Sequence, residues 1–157
     1  MLKRNDTAPF DLLSWLEGRS HAIGVVEDRK GRVRRRFTVD LTGTAQGDAL
    51  RLHERFVFAD GERQERTWVL TRGSDGTFSG RAEDSASDAR GCFAEGAAYM
   101  SSELKLKIGN RIIAMRFDDA FYPSGPGLVL NRSTMSKWGV RLGQILIQFR
   151  KDGQRSP

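Results

Sequence analysis

The sequence predicts an all-β protein: an antiparallel up-and-down β-barrel of about eight to ten strands, with a short N-terminal helical turn as a plug. Three observations carry that reading. Short alternating runs recur along the chain, with turn signals roughly every 8–12 residues. The connections are short, so sequential strands are neighbours and the sheet is an antiparallel meander. Strands of about ten residues with one apolar and one polar face would leave bare edges in an open sheet, and closure removes them. A two-sheet sandwich is the alternative.

Residues 1–9 read as a flexible leader, 10–151 as a single barrel domain and 152–157 as a flexible tail. Within 10–16, Phe10, Leu12, Leu13, Trp15 and Leu16 fit one helical or 3₁₀ turn that closes an end of the barrel. Residues 18–27 form the first strand and turn at Asp28-Arg29-Lys30-Gly31. Residues 32–41 alternate, with Val33, Arg35, Phe37, Val39 and Leu41 on one face.

The best-specified segment follows. Two alternating runs flank Asp60-Gly61, a strong hairpin signal. A three-residue loop Ala59-Asp60-Gly61 sets Leu50 opposite Leu70, Leu52 opposite Trp68 and Glu54 opposite Arg66 on one face. Arg55 then meets Glu65 on the other face, so charges and apolar groups both find partners.

Further strands are expected at 77–82, 91–96, 98–108, 111–118, 128–133 and 140–150. A polar connection occupies 84–90, and an irregular loop with Pro123 and Pro126 occupies 119–127. Gly24, Gly80, Gly91 and Gly96 supply the bends that closure requires.

Composition narrows the function classes. The chain is 38% hydrophobic and 29% charged, with 26 basic against 20 acidic residues, a mild net charge of +6. The lone Cys92 excludes an intrachain disulfide and reads as a small buried hydrophobe. No apolar run reaches the roughly 18 residues of a transmembrane segment. Lys3 and Arg4 precede Asn5-Asp6-Thr7-Ala8-Pro9 rather than an apolar stretch. A cytoplasmic location is therefore expected, or an envelope-associated one if a leader has been removed.

Four stretches carry a resemblance: 27–39, with Asp28-Arg29-Lys30-Gly31-Arg32-Val33; Leu52-His53-Glu54-Arg55-Phe56 with Asp60-Gly61 and Arg66-Thr67-Trp68; Asp118-Asp119-Ala120-Phe121-Tyr122; and Asn131-Arg132-Ser133 running to Lys137-Trp138-Gly139-Val140. Together they resemble a family of uncharacterised bacterial lipocalin-like proteins, grouped with the calycin barrels and often described as lipoproteins. The resemblance implies a barrel and assigns no activity. This sequence lacks the family's leader with a lipobox cysteine, and it has Ala120-Phe121 where a Trp-Met-like pair is expected.

Candidate site residues follow from the inward faces. Glu54 and Arg66, with Arg35 a strand away, are charges among apolar side chains. They act either as a structural brace or as anchors for a ligand, with Trp68 as wall. Asp118, Asp119 and Tyr122 are expected at a barrel rim, with Asn131 and Lys137 at the last corner or the mouth. Gly80 and Ala82 are expected inward beside Trp68, where they make room for the indole or for a ligand. Outward Arg34, Arg36, Arg51 and Arg55 form a basic stripe interrupted by Asp40 and Glu65, with no exposed aromatics beside it, so no nucleic-acid partner is expected from that face.

His21 and His53 lie on different strands, and there is no nucleophile elbow, metal-ligand spacing or phosphate loop. No cofactor or metal is expected. The leading expectation is a non-catalytic barrel holding a small apolar or amphipathic, anionic ligand in its interior. A filled scaffold barrel acting through its surface is the alternative, and an enzyme using the rim carboxylates is the third reading.

Overall fold

A computed structural model describes residues 9–153. A single helical turn, α1 (Leu12–Trp15), precedes ten strands: β1 (Gly18–Asp28), β2 (Val33–Gln46), β3 (Ala49–Phe58), β4 (Arg63–Arg72), β5 (Thr77–Ala82), β6 (Ala89–Ala94), β7 (Ala97–Ile108), β8 (Arg111–Gly125), β9 (Leu128–Lys137) and β10 (Val140–Lys151). Each strand pairs antiparallel with its chain neighbours, and β10 closes onto β1. The fold is the up-and-down barrel that the alternation and the short turns imply. Of the expected leader only Pro9 is described, and of the tail only Asp152 and Gly153.

The central hairpin has the expected register, with Leu50 against Leu70, Leu52 against Trp68 and Glu54 against Arg66. Gly61 closes it with φ +92°, a conformation that only glycine adopts without strain. Asp60 supports the loop by accepting the Glu62 N–H at 3.0 Å.

Two expectations fail here. The loop at 119–127 is mostly strand, because β8 continues to Gly125 and its ladder shifts register between Pro123 and Gly125. A proline with no N–H fits at such a shift, so it does not end the strand. Cys92 is exposed. Its neighbours Gly91 and Phe93 take the inward positions, where a Cβ on Gly91 would collide with the Phe78 ring and Phe93 stacks on Phe78. The sulfur therefore points out.

One end of the barrel is sealed. Asp11 caps α1 by accepting the Ser14 N–H at 3.2 Å, and Arg72 from β4 ion-pairs with the same carboxylate. Leu12, Leu13 and Leu16 are buried among Leu41, Leu50 and Leu70. The Lys151 ammonium donates to the carbonyls of Trp15 and Glu17, which takes up acceptors the short helix leaves free. Gly43 on β2 lies directly under the Leu16 carbonyl, so any Cβ there would overlap its oxygen.

Gly43→Ala is therefore expected to lower stability by about 1–3 kcal/mol, the usual range for overpacking. A thermal melt checks this; an unchanged midpoint would mean that the seal is looser than the structure shows.

Candidate functional site in the barrel interior

Inward-facing side chains differ between the two ends. Near α1, Ala22, Val39, Leu41, Leu50, Leu70 and Val129 are at most 3% exposed. Towards the opposite end, Val26, Phe58, Leu106, Ile113, Met135 and Ile145 point inward by strand register, yet each keeps accessible surface. The barrel is thus packed solid at the sealed end and open at the other. Its accessible half has mainly apolar walls.

Polar groups gather between the two halves. Glu54 on β3 and Asp119 on β8 project from strands half a circuit apart, so they face each other across the interior. Burial among protein atoms pushes the Glu54 carboxyl up to about 7. Arg66 and a hydrogen bond from Trp68 oppose that shift, and Asp119 and Asp84 add to it. Burial likewise pushes Asp119 up to about 6, against hydrogen bonds from Asn131 and Ser133. The Asn131 amide donates to Asp119 at 3.1 Å and to the Ala120 carbonyl at 3.0 Å. Glu54 and Asp119 are half-buried as residues, and both carboxyls have acceptor capacity.

Arg66 is held in a different way from the one expected. Its guanidinium makes a bidentate contact with Asp84, with Nε at 3.1 Å and Nη2 at 2.9 Å from Oδ2. Glu54 contributes attraction without being the contact partner, and burial opposes the charge that these carboxylates sustain. The expected Glu54–Arg66 ion pair is therefore an Arg66–Asp84 pair with Glu54 beside it. Asp84 went unassigned because it lies in the polar connection after β5. The inward series Phe78, Gly80 and Ala82 nevertheless points to it by parity.

The other candidates separate. Trp68 is buried in the wall, paired with Leu52 and Ala82. Gly80 accommodates the Leu70 and Trp68 side chains, which a Cβ there would meet. Arg35 sits at the open mouth, bound to Asp60 at 2.9 Å and Glu62 at 2.7 Å, with its guanidinium 3.6 Å over the Phe58 ring.

The expected rim cluster is not one. Adjacent residues on a strand face opposite sides, so Asp118 points outward to Arg116 and Ser101 while Asp119 points inward. Tyr122 is on the outer wall, edge-on to Tyr99. Asn131 is buried deep in the barrel, and Lys137 lies at the mouth, donating to the Ala114 carbonyl at 2.6 Å. His21 pairs with Asp40 at 2.7 Å on exposed surface, and the His53 ring lies 3.2 Å from the Thr67 hydroxyl. A separate apolar hollow of about 680 Å³ lies along the wall by Ile23, Leu130 and Leu146.

These features define a lipocalin-like barrel, sealed at one end and open at the other. The chain belongs to the family described as protein of unknown function DUF3833, whose model matches residues 2–151. No curated protein matches the sequence.

Several solved structures resemble the fold, and two of them illustrate the likeness. One is the S-type phycobiliprotein lyase CPES from Guillardia theta, with a TM-score of 0.67, 10% identity and 92% of each chain covered. The other is a protein of unknown function of the DUF3598 family from Nostoc punctiforme, with a TM-score of 0.62 and 16% identity, covering 92% of this chain and 50% of that one. At such identities the likeness is one of fold.

Two outcomes follow from this geometry. The raised carboxyls of Glu54 and Asp119 hold more protons in the folded chain than in the unfolded one between about pH 4 and 7, so their contribution to stability falls as pH rises across that interval. In urea melts, Glu54→Gln is expected to remove part of that fall, on the order of 1–3 kcal/mol between about pH 5 and 8. Identical slopes in both proteins would contradict it. Asp84→Ala strands a partly buried guanidinium and is expected to cost about 1–3 kcal/mol, read as a lower urea midpoint.

Proposed function

We propose that the barrel binds a small amphipathic molecule in its open half without catalysing a reaction. The graded burial of the inner wall carries this reading: apolar side chains that face inward and keep accessible surface are the lining of a binding site. The shared barrel shape agrees with it and leaves the ligand's identity open.

The polar end of that ligand differs from the anionic one the sequence suggested. Arg66 and Arg35 already have carboxylate partners, so neither fork is free to grip an anion. The carboxyls of Glu54 and Asp119 stand at the bottom of the open half with acceptor capacity. A neutral or cationic end that donates hydrogen bonds fits them, with the apolar body along Met135 and Ile145. Catalysis by the adjacent aspartates finds no support, because Asp118 and Asp119 lie on opposite faces of the wall.

Native mass spectrometry of protein purified from its source is expected to show a retained small molecule. Glu54→Met removes a charge-assisted contact and is expected to weaken that binding about tenfold or more, while leaving the fold at least as stable above pH 7. Clean apo protein that also takes up no neutral apolar fluorophore would contradict the proposal.

A further inference from the structure

Two hairpin tips at the open mouth carry residues that the fold itself does not use. At the β9–β10 tip, Trp138 is 90% exposed, with Val140 and Leu142 also open to solvent. At the β7–β8 tip, Ile112 is 73% exposed and Ile108 51%. The tips are neighbours: β8 and β9 pair at Arg116 and Ser136, and Lys137 reaches the Ala114 carbonyl.

Trp138 stands out in its backbone as well. It has φ +50°, followed by Gly139 at φ +75°. A two-residue turn of that kind favours Asn-Gly, and a bulky side chain is poorly suited to its first position. Trp138 buries almost nothing in return; among the described residues its ring contact is the Lys137 ammonium 4.6 Å away. Neither turn geometry nor packing accounts for an indole there.

The charged residues within these two tips are of one sign. Residues 105–115 and 137–142 contain Lys105, Lys107, Arg111, Lys137 and Arg141 and no acidic residue. Among the described residues, none of these five has a carboxylate within ion-pair range. The β1–β2 and β3–β4 tips differ in carrying carboxylates among their basic residues: Asp28 pairs with Arg32 and Arg34, and Asp60 and Glu62 pair with Arg35.

We infer that the β7–β8 and β9–β10 tips form a docking edge for an anionic lipid bilayer, with Trp138 and Ile112 entering the interface and the basic residues meeting lipid headgroups. Indole rings favour the headgroup level of a membrane, and basic side chains near an anionic surface each add attraction. Two narrow, protruding tips suit insertion between lipids better than contact with a flat protein surface. The edge lies beside the open half, so docking would bring the mouth to the membrane. This inference stands whether or not the interior carries a ligand.

Vesicle flotation tests it, using phosphatidylcholine alone and with about a third phosphatidylglycerol. The full chain is expected to float with the anionic vesicles, to be released by high salt and to ignore the zwitterionic ones. The pair Trp138→Ala with Ile112→Ser, and separately Lys107→Glu with Arg141→Glu, are expected to lower partitioning about tenfold or more without moving the thermal midpoint. A chain that fails to float, or that floats equally well after either pair of substitutions, overturns the inference. So does a dimer that forms without lipid and is lost in Trp138→Ala, since the edge would then serve a second copy.

Discussion

The carbonyl end of α1 rests on Gly43 and is held by the Lys151 ammonium, and this seat divides the barrel interior into two unlike halves. Leucines from the helical turn fill the space between β2, β3 and β4, and the core there leaves no accessible surface to speak of. Beyond the reach of that turn, the strands continue with apolar inner faces, and side chains such as Val26, Phe58, Met135 and Ile145 pack against the core while keeping some accessible surface. A closed sheet has no edges to protect, so strands of ten to fifteen residues can extend past the packed region. The open half follows from a plug that is only one turn long.

Charges collect where the solid and open halves meet. A carboxyl in the sealed core would need full compensation, whereas Glu54 and Asp119 are half-buried as residues and have a few donors each. Arg66 has the strongest compensation, a bidentate carboxylate, and it fastens the connection after β5 to the β4 wall. Glu83 adds to this by accepting the Thr67 N–H, which β5 is too short to pair. The result is a brace and a binding surface made from neighbouring groups.

Most of the fold was legible in local pattern. The alternation in β2, the Asp60-Gly61 turn and the charge match across β3 and β4 fixed register before any tertiary information was needed. The site was legible only in part, for reasons of the same kind. Parity places Glu54, Arg66 and Trp68 inward, but it does not say which acid reaches a guanidinium, and Asp84 comes from a connection with no periodicity. Asp119 lies between inward Phe117 and Phe121, a signal outweighed by the two prolines that made its surroundings look like loop. The exposure of Trp138 could not be read, since an aromatic beside a turn glycine usually packs back onto its own sheet.

The division of the interior is tested most directly by enlarging one inward side chain in each half and comparing melts. Ala22 lies in the sealed half at 1% exposure, and Ile145 lines the open half. Ala22→Leu is expected to lower the thermal midpoint by about 3–10 °C, as overpacking of a filled core should. Ile145→Phe is expected to change it by less than about 2 °C, because Ile145 keeps accessible surface towards which a larger side chain can extend. Equal losses at both positions would mean that the barrel is filled throughout, and the binding account would then be wrong.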